Sequence, residues 1–448
     1  MGLLRCIWHG DGDLLTLMPA DAYKVPIGPL GYSRRSIVIV NDPEWVRSIM
    51  TDAIEIFPKN DLMKGALHPL VGDSLFVSDG ETWKRQRRMV EPAFSFIRIT
   101  KAFAAMQNAV GDHIGMLDQR ADSGEPFSLD FSMSHLTADI ICRTVFSSSI
   151  ASGTALDVFE SFAVFERNVS NVKLSHLIFG KAWSKVPQSK IVLDACIRIR
   201  EQLGKLIDDC LASQDNSNDP DGSDNLARTV MDARDGDDGR PFTRDELIDQ
   251  LGVFFLAGHE TTASVLTWAF FIISERPEIA ERIRAEIQTE VGNQHIAFED
   301  IRKLAYTRNV FREALRLYPP LTFIPRVAAE TTTLGGHKIK KGAMVMIAPW
   351  AIHRHQLYWD HPDAFDPDRF SPQREKDLVR GAYLPFGQGP RVCAGATFAM
   401  IESTLILAEL VRRFDFHAEA AEKVVPVARL TTRPREEIMV RVTAYSKP

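Results

Sequence analysis

The longest apolar run in the chain, Leu251 to Ile273, follows a polar start in which Thr243 and Glu246 stand three apart. That spacing is a capping box, so the pattern predicts one helix from Thr243 to about Ser274, roughly 45 Å long at the standard rise. The run is apolar enough to span a membrane, but His259, Glu260, Thr261 and Thr262 sit in its middle. Charges there are costly in lipid, which favours the central buried helix of a large globular protein. Residues 100–210 are mostly helical in pattern, with breaks at Ser123-Gly124-Glu125-Pro126 and around Pro187. Ala396 to Arg413 contains no Gly or Pro and predicts another helix. Short β-branched or alternating runs at 35–40 and 343–347 predict strands, and Gly335-Gly336 predicts a hairpin turn between short strands. Asp42-Pro43 is a cap followed by Pro at the first helical position. The segment 57–78, with Pro58, Gly65, Pro69 and Gly72, is expected to be irregular. Residues 213–240 are polar and acidic, which predicts a helix between surface loops.

Composition alters this picture little. With 448 residues, 45% hydrophobic and 25% charged, the chain can bury a substantial core. A net charge of −6 argues against general nucleic-acid binding. The five cysteines, Cys6, Cys142, Cys196, Cys210 and Cys393, are scattered and form no CxxC pair, so neither a disulfide framework nor a zinc site is expected. Residues 1–24 carry charges and no long apolar segment, so a soluble cytoplasmic protein without a membrane anchor is expected.

The chemistry concentrates at Phe386-Gly387-Gln388-Gly389-Pro390-Arg391-Val392-Cys393-Ala394-Gly395, just before the last helix. Glycines let such a loop turn its N–H groups toward the sulfur, and the helix start adds positive dipole character. The expected environment favours a thiolate, a soft ligand for a metal or a haem iron. The string fills every fixed position of F-G-x-G-x-R-x-C-x-G, and here the chain resembles the cytochromes P-450, the haem-thiolate monooxygenases. Further motifs follow in that family's order. Ala257-Gly258-His259-Glu260-Thr261-Thr262 matches its oxygen-binding helix signature, Trp83 and Arg87 its W-x-x-x-R, and Glu313 and Arg316 its E-x-x-R.

The resemblance implies a mainly α fold, a triangular helical prism with a smaller β-rich lobe, formed by residues 1–448 as a single domain with no fused reductase. It implies haem b, with Cys393 as axial ligand and Trp83, Arg87, Ala257, Arg326, Phe386, Arg391 and Gly395 among the residues that contact it. Glu260 and Thr261 would deliver protons to bound O2, while Ala257 and Gly258 leave room beside a flat ligand. Phe76, Phe254, Ala257, Leu321, Phe323, Ile324 and Thr431 would line the substrate pocket, with Thr322 beside them. Glu313, Arg316 and Arg369 would form a buried structural network. The implied reaction inserts one oxygen atom of O2 into a small apolar substrate. The chain carries no dinucleotide fingerprint and no iron–sulfur cysteine cluster, so electrons from NAD(P)H would arrive through a separate ferredoxin and its reductase. Lys84, Arg85 and Arg88 would form an outer basic patch that steers this acidic partner. A monomer is expected. Two alternatives stand beside this reading: a peroxide-driven or rearranging haem-thiolate enzyme, and a non-catalytic haem-based gas sensor or binding protein.

Overall fold

A computed structural model of the chain describes residues 13–30, 36–151, 153–169, 188–212 and 225–446. Arg35, the Pro187 break, the N-terminal residues 1–12 and the acidic residues 213–224 lie outside the described residues. Helix α1 (Pro43–Met50) begins at the expected cap, with Asp42 accepting hydrogen bonds from the Glu44 and Trp45 amides at 3.0 Å.

The segment 57–78 departs from expectation. Asp61–Val71 forms helix α2, with Pro69 inside its last turn. Proline within a helix costs about 3 kcal/mol. Leu67, Leu70 and Val71 recur at helical spacing and are buried in the main core, and each such side chain contributes about 1.5–3 kcal/mol. Burial therefore outweighs the break. Gly72, at φ +48°, ends the helix with its N–H on the His68 carbonyl at 2.9 Å.

The helical body continues with α3 (Gly80–Val90), α4 (Phe96–Ser123), α5 (Leu129–Phe146), α6 (Gly153–Val169), α7 (Lys190–Ala212) and α8 (Leu226–Asp232). Helix α4 stops where the sequence breaks, at left-handed Gly124. Helix α9 (Arg244–Glu275) is the 32-residue centre, and its capping box has both bonds: Glu246 N–H to Thr243 Oγ1 at 3.2 Å and Thr243 N–H to Glu246 Oε2 at 2.8 Å. It is buried along most of its length, against α5, α7, α11 (Ala305–Leu317) and α12 (Ala396–Arg413), with α10 (Pro277–Glu290) outside them.

The β structure forms a smaller lobe. Strands β1 (Ile27–Leu30), β2 (Ile37–Val40), β7 (Met344–Ile347) and β4 (Ile324–Val327) pair in that order, parallel only at β2–β7. Beneath them Val40, Val46, Ile49, Phe57, Val345 and Ile347 form a second apolar cluster. The hairpin β5 (Thr332–Leu334) to β6 (His337–Ile339) turns on Gly335 and Gly336, both at positive φ. A three-stranded sheet joins β3 (Phe127–Ser128), β11 (Met439–Ala444) and β8 (Phe414–Ala418), and β9 (Pro426–Ala428) pairs with β10 (Thr432–Pro434). Among the described residues no helix is long and apolar enough to cross a membrane.

Candidate active site

The cysteine loop is a tight backbone structure. The Cys393 N–H bonds the Phe386 carbonyl at 2.9 Å, and Gly387 and Gly389 sit at φ +74° and +71°. At Gly389 a Cβ would lie 2.3 Å from the Met50 carbonyl, so the loop lies directly against α1. Gly395 caps α12 and directs its N–H toward Cys393. The expected bias toward thiolate is only partly present. Cys393 is exposed by area, yet the protein crowding its sulfur desolvates it and raises the thiol above its usual value, against pulls from the Gly395 N–H and Arg87. Metal ligation, not the loop alone, would have to hold the thiolate. Arg87 donates to the Val392 carbonyl at 2.8 Å and to Glu91 at 3.2 Å, tying α3 to the loop. A cleft of about 640 Å³ opens there, lined by Arg87, Glu91, Phe94, Val392 and Cys393.

Beside the loop, cations gather with too few acids. Arg391 donates to the Ser78 carbonyl at 3.0 Å and to Asp79 at 2.7 Å, and its guanidinium lies 4.3 Å over the ring of buried Trp83. Lys64 also pairs with Asp79. Arg326, on β4, is buried and bonds only its neighbour Pro325's carbonyl, at 3.1 Å; no carboxylate pairs with it among the described residues. Burial and the charge of Arg391 lower its pKa to about 10, with Asp79 opposing. Lys59 is pushed well down by burial and then by Arg391 and Arg326; its ammonium donates to the carbonyls of Leu75, at 3.2 Å, and Phe76. Cations crowded this way lack an anion. A group bearing two carboxylates, as haem does, fits them. Lys59 belongs to no motif; the pairing of its segment with β4, through the Lys59–Arg326 bridge and the Val327 N–H on the Pro58 carbonyl, brings it here.

At the centre of α9, Thr261 Oγ1 donates to the Ala257 carbonyl at 2.6 Å. Ala257 is partly buried, but Gly258 does not make room for a ligand: a Cβ there would meet Ile141 Cδ1 at 2.5 Å, so this glycine serves close packing of α5 on α9. Glu260 is buried and fully engaged. It accepts from Arg433 Nε at 3.0 Å, from a second Arg433 nitrogen and from the Thr431 hydroxyl. Arg433 also bonds Asp130 at 2.5 Å and Ser134 at 3.3 Å. Burial alone would raise the Glu260 carboxyl, but Arg433's charge and hydrogen bonds, helped by His259 and Thr431, hold it below the usual range. Thr431, expected to meet substrate, thus serves Glu260. Arg433 lies one strand residue beyond the Thr431-Thr432 turn, and no local sequence signal marks it.

The remaining expected residues divide by location. Glu313 and Arg316 pair at 2.7 Å, and Arg369 joins Glu313 at 3.2 Å, all buried. Phe254 packs edge-on to Phe94, ring centroids 5.0 Å apart, and Phe76 and Phe386 join the same main core. Phe323 packs instead with Ala22, Ile39 and Ala348, and Ile324 with the β-lobe cluster; Leu321 is partly buried. The outer basic patch is largely neutralised. Arg85 pairs with Asp235 at 3.3 Å and Glu246 at 2.7 Å, Arg88 with Asp235 at 3.1 Å and Asp237 at 2.6 Å, and Lys84 with Glu81 at 2.7 Å. The acidic residues between α8 and α9 fold back on it, which α3 alone could not reveal.

Comparison with known proteins agrees with this geometry. The family profile "Cytochrome P450" matches residues 24–442. Cyclooctatin synthase of Streptomyces melanosporofaciens is 32% identical over 92% of this chain and 87% of its own. Cyclooctat-9-en-7-ol 5-monooxygenase of the same organism is 31% identical over the same shares, 92% and 87%. Among solved structures, the cytochrome P450DA heme domain superposes with a TM-score of 0.81 at 22% identity, covering 94% of this chain and 90% of its own, a likeness of fold. A loop that presents Cys393, a surplus of cations beside it, and a profile match across most of the chain lead to one assignment: the chain belongs to the cytochrome P450 family, the haem-dependent monooxygenases.

Proposed function

We propose that residues 1–448 act as one catalytic unit that inserts an oxygen atom of O2 into a C–H or C=C bond of a small apolar substrate. The observation that carries this is the buried carboxylate of Glu260 directly before Thr261 in the middle of α9. An acid and an alcohol on adjacent residues can move protons into an otherwise dry pocket. Haem, when bound, supplies oxygen activation and electron uptake. Cys393 would ligate its iron through the sulfur, with Arg87 beside the loop. Lys59, Arg326 and Arg391, with Trp83 under Arg391, would hold its propionates. Phe76 and Phe254 keep water from the substrate side. The Thr261 hydroxyl turns from the Ala257 carbonyl to orient a proton, and Glu260 provides the exchanging site behind it.

Electrons come ultimately from NAD(P)H through a separate ferredoxin and its reductase, which approach the cysteine side. With Lys84, Arg85 and Arg88 already paired, little free positive charge remains on that helix face, so docking rests mainly on the cleft at Val392 and Cys393. The protein is expected to be a cytoplasmic monomer. The similarity to a 5-monooxygenase of cyclooctat-9-en-7-ol supports an apolar substrate class.

The test is the spectrum of the reduced protein with carbon monoxide, beside its Cys393→Ser variant. A strongly red-shifted Soret band, lost in the variant, is expected; a band indifferent to the substitution would overturn the ligand assignment. Product formed with O2, ferredoxin and reductase separates this reading from a peroxide-only enzyme and from a sensor that turns nothing over.

A further inference from the structure

A proton donor that is itself ionised must be recharged. Arg433 holds Glu260 as a carboxylate by charge and by hydrogen bonds to both of its oxygens. A buried carboxylate anchored this way stores no proton of its own.

Two groups immediately behind it do. His259 Nδ1 lies 2.7 Å from the Phe255 carbonyl, a contact that requires an N–H on that nitrogen. The tautomer is thereby set, and Nε2 is left facing Glu166 Oε1 of α6 at 3.3 Å. A nitrogen lone pair and a carboxylate would repel, so one proton belongs between them. It sits on Nε2 as an imidazolium opposite a carboxylate, or on the carboxyl opposite a neutral ring. Glu166 Oε1 is enclosed and, among the described residues, has no well-directed hydrogen bond to any other group. Burial and the negative charge of Glu260 push the Glu166 carboxyl up to about 7, with His259 opposing. Burial lowers His259, but Glu166 and Glu260 outweigh it and the ring is raised overall.

The position of the pair suits a relay. Among the described residues, a ligand-type atom from each of Glu166, His259 and Glu260 lies within 4.8 Å of the other two. One carboxyl rotation or one bridging water spans such a gap. The rings of Phe159, Phe162 and Phe255 pack around His259, closing its other sides. Glu166 keeps 17% of its side chain exposed although its Oε1 is enclosed, so solvent reaches the pair only at Glu166. Among the described residues, the other charged or titratable groups facing the cluster are Asp130 and His135 of α5 and Arg433 of β10, with the Thr431 hydroxyl above Glu260. Arg433 is shared between Glu260 and Asp130, and His135 packs on Phe159, which leaves the Glu166–His259 proton as the mobile one.

We infer that Glu166 and His259 form a one-proton dyad, filled from solvent through Glu166, that recharges Glu260 during turnover. The proton leaves the dyad for a Glu260 oxygen, the dyad is left one charge more negative, and a solvent proton restores it. The two are positioning residues acting through Glu260, and the inference rests on the proposed role of Glu260.

The test uses the haem-loaded protein and needs no organic substrate. O2 that takes two electrons and two protons leaves as hydrogen peroxide, whereas four of each give water. The ratio of peroxide released to O2 consumed, with NADPH, a ferredoxin and its reductase, therefore reports proton delivery. Glu166→Gln is expected to raise peroxide release several-fold above neutral pH and much less below it, while Glu260→Gln raises it at every pH. Independently of turnover, the 15N resonance of His259 in the reduced carbon monoxide complex, assigned by its loss in His259→Gln, is expected to titrate above the range of a free imidazole, as the facing carboxylate requires. In Glu166→Gln that titration should fall by more than about one pH unit, because the carboxylate partner is gone.

If Glu260→Gln and Thr261→Ala also leave the peroxide ratio unchanged, the role of Glu260 itself fails. If those variants raise it and Glu166→Gln behaves as the parent at every pH, the dyad inference alone is overturned. A Glu166→Gln effect that is flat with pH, with an unmoved His259 titration, would show a packing role and overturn it too.

Discussion

Replacing Glu313 by Ala removes the carboxylate that two buried guanidinium groups share. Glu313 and Arg316 have no solvent exposure, and the Arg369 side chain has 5%. Glu313 accepts from Arg316 Nε and Nη2, each at 2.7 Å, from Arg369 Nε at 3.2 Å and from the Asp366 amide at 2.9 Å. Afterwards Arg316 keeps the carbonyls of His353, Pro362 and Ala364, and Arg369 keeps those of Asp360 and His361. Among the described residues, neither cation would retain a carboxylate partner. Deleting one partner of a buried ion pair costs about 3–5 kcal/mol, a large share of the roughly 5–15 kcal/mol that holds a domain folded. Urea unfolding of the haem-loaded protein, followed by circular dichroism and by the Soret band, should show a loss in this range for Glu313→Ala. The double variant Glu313→Leu with Arg316→Met removes one cation with the anion and should lose less than the single variant. A single variant within about 1 kcal/mol of the parent would refute the argument, since no buried pair so enclosed could be that dispensable.

Three further outcomes follow from the site. Gly389→Ala combines φ +71° with a Cβ 2.3 Å from a backbone carbonyl, so it should abolish haem binding; Gly239→Ala, at φ +73° in open space, should cost only about 1–2 kcal/mol and keep the Soret band. Arg326→Met removes a buried cation without a carboxylate partner, so the haem-free protein should not lose stability in urea while transfer of haem to apomyoglobin quickens; unchanged transfer would count against the propionate role. Glu402, buried on α12 with no well-formed hydrogen bond among the described residues, has its pKa raised well above the usual range by burial, with the Thr262 hydroxyl opposing. It therefore stays protonated in the folded state while the unfolded chain ionises. Relative to Glu402→Gln, the parent's stability is intact below the unfolded value of 4.5. It is lost as pH rises from there toward the folded pKa, by about 1.4 kcal/mol for each pH unit. Urea midpoints at about pH 5 and pH 8 should diverge in favour of Gln at the higher value.

Local pattern was enough for the elements that obey a single rule. The capping box at Thr243, the cap at Asp42, the stop at Gly124, the Gly335-Gly336 turn and the helix from Ala396 to Arg413 all depend on residues within a turn or two. The same rules misled at 57–78, where Pro69 and the glycines suggested a loop. The decisive term there is burial of Leu67, Leu70 and Val71 against partners distant in the chain. Gly258 is the parallel case at the site, since its missing Cβ answers Ile141 on α5 rather than a ligand.

The reactive loop, the acid and alcohol of the central helix, and the family are legible in the chain alone, because residues adjacent in sequence carry them. The electrostatics emerge only on folding. Folding brings Arg433 and Thr431 onto Glu260, Glu166 onto His259, Lys59 and Arg326 beside Arg391, and Asp235 onto the expected docking patch. The strength of a charge depends on what surrounds it and how far water is excluded, and both are set by segments far apart in the chain.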